Sequence, residues 1–456
     1  MRRQGCEGYV ANFALSLPCR NQRIRTAPEP THAMRILFLH QNFPGQFIHV
    51  AQELQRRGGH ELHALTDVTN RHPDFIPTTR YACDAAGAGR PHPLAQNYAA
   101  RAARGEAAAM AMAGLRNGGF VPDLVIGHLG WGETLFVKDV FPKARQIVHA
   151  EFYYSADGAD AGFDPEFRAP EDIAWRLSLR AKNAAILQAV ADADFAVAPT
   201  RWQASRLPRE FHAKTTVLHE GIDADRVAPN PQARLKLQKA NVEMKPGDEI
   251  ITFVNRNLEP YRGYHIFMRA LPKILRARPR ARVVIVGGHE VSYGAAPPPG
   301  QSWKQIFLNE VQADLPMDRV HFTGKVPYPD YLRLMQISAA HVYLTYPFVL
   351  SWSMLEAMSA GALVIASATP PVTEVIRHGD NGLLFDFFDV EALAARVIEA
   401  LALPSSMRAM RSRARATIVQ RYDLKRICLP QWIGFVERAG QGGSVGPGEA
   451  NPAGPG

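Results

Sequence analysis

Residues 344–374 read LTYPFVLSWSMLEAMSAGALVIASATPPVTE. An apolar strand ends near Leu344, a loop of about seven residues follows, and a helix carries LEAMSAG into a second apolar run at 363–366. Strand, helix and strand in so short a span form a βαβ unit with two parallel strands. A helix opening directly after a strand aims free backbone N–H groups over the sheet edge, where they attract an anion. The loop around Val349–Trp352 is placed to supply them. Glu356 lies about one turn into the helix, where a carboxylate accepts hydrogen bonds from a ribose diol. The plainer alternative is a glutamate facing solvent.

The alternation continues outward on both sides. Upstream, 250–254, 282–286, 320–322 and 340–344 read as buried strands separated by helices. Before them the pattern runs once already, with strands at 35–39, 60–65, 124–127, 146–149 and 195–198. Helical patterns fall at 47–57 and at 172–191, the second with Asp172 as N-cap. The fold class is therefore α/β, with two doubly wound domains at 34–205 and 226–423, a linker at 206–225, and a ligand cleft between the domains. A closing helix at 424–439 is expected to pack back towards the first domain. Residues 1–33 read as an extension and 440–456 as a Gly/Pro-rich tail, both expected to be disordered.

The composition fits two domains. The chain has 456 residues, 46% hydrophobic and 21% charged, ordinary for a globular protein. No run approaches the roughly 18 uncharged apolar residues of a membrane span. Cys6, Cys19, Cys83 and Cys428 are scattered, which suggests neither a disulfide framework nor a zinc site and points to the reducing cytoplasm. The net charge of +9 favours an anionic partner, a phosphate or an anionic membrane face. It is spread along the chain, which argues against nucleic acid.

A second motif is VNRNLEPYRGYHIFMRALP at 254–272. Arg256 and Arg262 stand about six residues apart around a turn, so their guanidiniums can converge on one pyrophosphate and stabilise charge developing on it. The alternative is a pair of surface arginines bound to Glu259. In the first half, HQNFPGQF (40–47) places Gly45 in a turn after a strand. HLGWGETLF (128–136) and VHAEFYY (148–154) put His128, His149, Glu151 and Tyr153 at strand C-terminal ends. Residues 293–303 read as a long loop over the cleft, more simply an insertion than a lid.

LEAMSAGALVIAS…TEVI resembles the donor-binding signature of the family 4 retaining glycosyltransferases, which have the GT-B fold of two Rossmann-like domains. The resemblance covers residues 34–438. It implies transfer of a sugar, with retention, from a UDP- or GDP-sugar to a glycan or polyprenyl-linked acceptor. HQNFPGQF, GWGETLF, EFYY and HEGID look most similar to a subgroup associated with bacterial exopolysaccharide synthesis. Residue by residue, Arg256 and Arg262 match the diphosphate clamp, with arginine where lysine is commoner at the second position. Gly45 matches the glycine loop, His149 the histidine directed at the donor sugar, and Lys325 with Val326 the turn beside the base. Phe348, Leu350, Ser351 and Trp352 fall in the donor loop. His128, Glu151 and Tyr153 fall on the acceptor side.

Glu356 matches the second of the family's two glutamates, but the first falls at Phe348, a departure that removes a carboxylate expected near the sugar. Glu374 either lies near the sugar or caps the next helix. The resemblance implies no metal or other cofactor, and Asp192-Ala193-Asp194 precedes a strand rather than sitting in a metal loop. Lipid-linked acceptors imply a cytoplasmic protein with peripheral contact at the inner membrane face. Two other readings stay open: a sugar-nucleotide epimerase on the same architecture, and a non-catalytic nucleotide-sugar-binding protein. A dinucleotide oxidoreductase is disfavoured, since no GxGxxG opens a helix after a strand.

Overall fold

The computed structural model describes residues 33–83, 91–167 and 172–441. The expected N-terminal extension, apart from its last residue, and the tail beyond residue 441 lie outside the described residues.

Apolar runs buried on both faces require helices on both sides of a parallel sheet, and the chain builds two such sheets. The first holds β1 (Arg35–Leu39), β2 (Glu61–Asp67), β3 (Thr78–Tyr81), β4 (Leu124–His128), β5 (Arg145–His149), β6 (Phe195–Ala198) and β7 (Thr215–Val217), in the order β3-β2-β1-β4-β5-β6-β7. A small antiparallel hairpin follows, β8 (Leu235–Leu237) with β9 (Val242–Met244). The second sheet holds β10 (Ile250–Asn257), β11 (Arg282–Gly288), β12 (Val320–Gly324), β13 (Ala340–Tyr343), β14 (Val364–Ser367) and β15 (Leu383–Phe385), in the order β12-β11-β10-β13-β14-β15. Every pair within both large sheets is parallel. Strand order reverses between β1 and β4 and again between β10 and β13. Loops diverge at such points and leave a crevice beyond the strand ends. Two Rossmann-like domains facing one another are what the GT-B resemblance implies, and the structure has them.

Three details differ from the sequence reading. Strands β3 and β15 and the β8–β9 hairpin are too short to show a periodic signal. The helix expected over 172–191 is two helices, Ile173–Lys182 and Ala184–Asp192. They break where the Asn183 amide binds the Tyr154 backbone, accepting from its N–H at 3.0 Å and donating to its carbonyl at 2.7 Å. Finally, β7 lies within the expected linker but pairs with β6. The crossing is thereby confined to a few residues, between Leu218 in the first domain's core and Ile222 in the second's.

That crossing is tightly wrapped. Gly221 has φ +91°, and a Cβ there would stand 2.7 Å from the Leu424 Cα, so only glycine passes. Ile222 donates to the Tyr422 carbonyl and accepts from the Leu424 N–H. The chain then turns into the helix Leu429–Gly440, whose Trp432, Ile433, Phe435 and Val436 enter the core of the first domain beside Ile36 and Val197. Each such side chain contributes about 1.5–3 kcal/mol of burial. In the other direction, the segment after β5 straps the second domain. Phe152 and Ala159 join that domain's core, Tyr261 donates to Asp160 and Tyr346 to Asp164, each at 2.6 Å, and Arg269 pairs with Glu166.

Candidate active site

Between the domains lies a cavity of about 690 Å³. Its walls come from segments just past strand C-terminal ends at both switch points: His40–Gln46 after β1, Trp131 after β4, Arg256 and Arg262 at the end of β10, and Phe348–Trp352 after β13. Glu151 and Phe152 follow β5, His219 and Glu220 follow β7, and Tyr293 follows β11.

On the wall of the second domain, Arg256 is exposed and its side chain makes no hydrogen bond or ion pair among the described residues. Arg262 is buried at the end of a tight turn, Pro260–Arg262, that Gly263 closes at φ +65°. It donates through Nη1 to Thr345 Oγ1 at 2.8 Å and the Val349 carbonyl at 2.9 Å, and its guanidinium faces the Tyr293 ring at 5.2 Å. Burial lowers its pKa, but Tyr343, Tyr293 and Glu259 outweigh that and raise it overall. No carboxylate forms an ion pair with it among the described residues. Glu259, the partner the plainer reading supplied, instead accepts from the backbone N–H groups of Ser292, Tyr293 and Gly294. It thereby holds the start of the long loop against the cavity, so Tyr293 is part of the wall.

The donor loop is arranged differently from the sequence reading. The Phe348 ring packs 4.5 Å from Phe152 of the strap, 5.0 Å from Tyr293 and 5.5 Å from Tyr261. The position of the missing glutamate is thus an aromatic contact between domains. One amide of the loop expected to face an anion is already engaged, Ser351 N–H donating to the Tyr343 hydroxyl at 2.9 Å, and beyond the loop Ser353 N–H donates to Ser351 Oγ at 3.3 Å. Leu350, Ser351 and Trp352 do line the cavity.

Glu356 lies one turn below and is not among the lining residues. Its oxygens accept from Tyr328 and Tyr331 at 2.7 and 2.6 Å, and burial raises its pKa. Lys325 pairs with Glu290 on the surface, and Val326 packs half-buried on the second domain's core. Neither lines the cavity. Glu374 does not line the cavity, and it caps no following helix among the described residues, which corrects the capping reading. It accepts from the N–H groups of Arg201 and Trp202 at 2.8 and 3.0 Å, capping the helix Arg201–Arg206 of the other domain.

On the first domain's wall, Gly45 lines the cavity at φ +49°, and a Cβ there would stand 2.5 Å from His40 Nε2. Its freedom serves the packing of this turn on His40. His149 sits behind the wall, buried, with Nε2 3.0 Å from Glu220 Oε1. Glu220 Oε2 in turn accepts from Trp352 Nε1 at 3.3 Å, so one carboxylate from the crossing links both domains. Burial raises the Glu220 pKa, but the hydrogen bond to His149 and the other imidazole contacts outweigh it and hold the group down at about 2. His128 stacks on His149 at 5.4 Å and reaches Glu151 Oε2 at 3.4 Å. Tyr153 turns away into the first domain's apolar cluster, while Tyr154 lines the cavity.

The sequence reading missed Glu220, Tyr293 and Trp131 as lining residues. HEGID offered one signal for Glu220: a carboxylate beside a glycine that lets the chain cross.

Among the described residues, Asp164, Glu166 and His265 lie close enough to hold a metal ion. Both Glu166 oxygens, however, serve Arg269, and Asp164 Oδ2 accepts from Tyr346. These residues fit an interdomain strap better than a metal centre. Asp194 pairs with Lys138 and Arg145.

Comparisons with known proteins agree with this layout. Residues 58–227 match the model of a "Glycosyl transferase family 4 group", and residues 236–417 that of "Glycosyl transferases group 1". One relative is the GDP-mannose-dependent alpha-(1-6)-phosphatidylinositol monomannoside mannosyltransferase of Mycolicibacterium smegmatis, 26% identical over 52% of this chain and 61% of its own. Another is the D-inositol 3-phosphate glycosyltransferase of Streptomyces coelicolor, 29% identical over 45% of this chain and 47% of its own. The match thus spans less than two thirds of either relative. Among solved structures, Anabaena Alr3699/HepE in complex with UDP and glucose superposes with a TM-score of 0.61 at 19% identity, covering 88% of this chain and 99% of that one. Sucrose-phosphate synthase from Thermosynechococcus elongatus gives 0.65 at 18% identity, covering 88% and 98%.

Proposed function

Since the chain belongs to the family 4 glycosyltransferases, we propose that it moves a sugar from a UDP- or GDP-sugar to an acceptor hydroxyl with retention of configuration. The observation that carries this reading is Arg262, a buried guanidinium on the cavity wall that forms no ion pair with a carboxylate among the described residues. Such a cation attracts an anion and gains most where water is scarce. Arg256 lines the same cavity, exposed and without an ion pair among the described residues.

In the proposed reaction the bond from the sugar's anomeric carbon to the diphosphate oxygen breaks. A bond from that carbon to the acceptor oxygen forms, and the acceptor's proton leaves with the diphosphate. The two guanidiniums bear the developing charge without requiring a divalent ion. The enclosing cleft limits attack by water. Glu356 is assigned to the ribose, below the donor loop, and Glu220 with His149 to the region where the domains meet. The UDP and glucose named for the Anabaena structure support a UDP-sugar, and the HQNFPGQF and HEGID phrases support a role in exopolysaccharide assembly.

The test is a melting-temperature screen against UDP-, GDP- and ADP-sugars, since a ligand that binds only the folded state raises its stability. It is followed by assay of free nucleotide with and without acceptor. Nucleotide release that requires both substrates is expected. Isomerised donor without acceptor would establish an epimerase instead, and no stabilisation by any sugar nucleotide would end the proposal.

A peripheral membrane contact is proposed for one further observation. No helix among the described residues is long and apolar enough to cross a membrane. The helix Ile173–Lys182, however, buries none of its residues and exposes Ile173 (71%) and Leu177 (45%) beside Arg176 and Arg180. Apolar and basic groups on one surface helix suit an anionic lipid face.

A further inference from the structure

The two walls of the cavity differ in chemistry, and the difference bears on the second substrate. Arg256 and Arg262 belong to the wall of the second domain. Of the other cations, Lys182 is already seated over the Tyr154 ring at 3.5 Å. Near Glu151 the wall of the first domain presents the Gln46 amide and the Trp131 ring, while Asp160, further along it, is engaged by Tyr261.

Hydrogen bonds fix the state of that wall. His40 Nδ1 accepts from the Asn42 N–H at 3.0 Å, so its proton is on Nε2, which donates to Gln46 Oε1 at 2.9 Å. His40 is therefore neutral, and burial lowers its pKa to about 3. The Gln46 amide nitrogen, so oriented, stands 3.5 Å from Glu151 Oε1. His128 Nδ1 accepts from the Gly130 N–H at 3.0 Å, so its Nε2 carries the proton facing Glu151 Oε2 at 3.4 Å. Both contacts to Glu151 are long, and its side chain stays about one-third exposed (32%). It is a carboxylate on the cavity wall with acceptor capacity left over. Beside it Trp131 stacks on His128 at 5.9 Å and remains 40% exposed while lining the cavity.

A carboxylate with spare lone pairs accepts from hydroxyls and repels a phosphate. An indole offers an apolar face to the C–H face of a sugar ring. We propose that the first domain's wall, through Glu151, Trp131 and the Gln46 amide, is a subsite for an uncharged saccharide, whose hydroxyl receives the transferred sugar. This rests on the transferase reading above and narrows it. The sugar that enters carries no phosphate, in contrast to the inositol phosphate named for one relative.

The experiment is saturation-transfer NMR on the full chain in the presence of UDP or GDP. The probes are methyl glycosides of glucose, galactose and mannose, each compared with its 6-phosphate. Nucleotide binding is measured separately by melting temperature. The expected result is binding of at least one neutral glycoside and exclusion of its phosphate, with affinity lowered about tenfold in Trp131→Ala and in Glu151→Gln. Trp131→Phe should keep most of it, and nucleotide binding should be unchanged in all three. Preferred binding of a 6-phosphate, neutral binding unaltered in both Trp131→Ala and Glu151→Gln, or no glycoside binding where nucleotide still binds would each overturn the subsite. Wild-type protein that binds no nucleotide at all would overturn the transferase reading and this assignment with it.

Discussion

Among the described residues Arg262 donates to neutral partners only, the Tyr343 and Thr345 hydroxyls and the Val349 carbonyl. In the proposed function an anion complements it, so Arg262→Ala should weaken donor binding or turnover by tenfold or more, through charge-assisted bonds worth roughly 1.5–3 kcal/mol. Arg262→Lys should restore little, because a single ammonium cannot reproduce the planar fork. Unchanged donor affinity in Arg262→Ala, by titration calorimetry, would remove Arg262 from the site. Phe348 carries a different role. With Phe152, Tyr261 and Tyr293 around its ring, Phe348→Ala should cost about 3–5 kcal/mol of stability in urea unfolding. A loss below about 1 kcal/mol would mean that the cluster does not hold the domains.

At the scale of elements, the structure joins the domains by devices that cross between them. Glu374 of the second domain caps the helix Arg201–Arg206 of the first by accepting two backbone N–H groups. Removing a cap costs about 0.5–2 kcal/mol. Glu374→Ala should therefore lower the urea midpoint and raise hydrogen exchange at residues 201–204, while exchange in the second sheet stays as it was. Exchange unaltered in that helix would deny the cap. The helix Ile173–Lys182 makes its own prediction: Ile173→Asp combined with Leu177→Asp should reduce co-sedimentation with anionic vesicles at low salt, leaving nucleotide binding intact. Equal sedimentation of variant and parent would place membrane contact elsewhere or nowhere.

For the whole molecule, several imidazoles are buried neutral. His40 and His341 are pushed down to about 3, mainly by burial, and His219 is lowered for the same reason. Unfolded, each titrates near about 6.5. The unfolded chain therefore binds more protons below that pH, and stability falls as pH drops from about 6.5 towards 3. Glu220 adds a later step with the sign of a depressed carboxylate. Its contribution is complete above its ordinary value near 4.5 and is lost as pH falls towards about 2. The urea midpoint should thus decline already between pH 7 and pH 5, and a flat midpoint there would contradict burial of neutral imidazoles. The sequence alone determined the two doubly wound domains and the placing of Arg256 and Arg262 around one turn after a strand, because buried parallel strands must be continuous apolar runs and a turn after a strand keeps its residues adjacent. The tertiary structure decided what depends on segments far apart in the chain. It set Phe348 against Phe152, Glu374 against a helix more than 170 residues earlier, and Glu220 between His149 and Trp352. Which atom faces a cavity is fixed by the packing of both domains, and no local pattern in the chain encodes it.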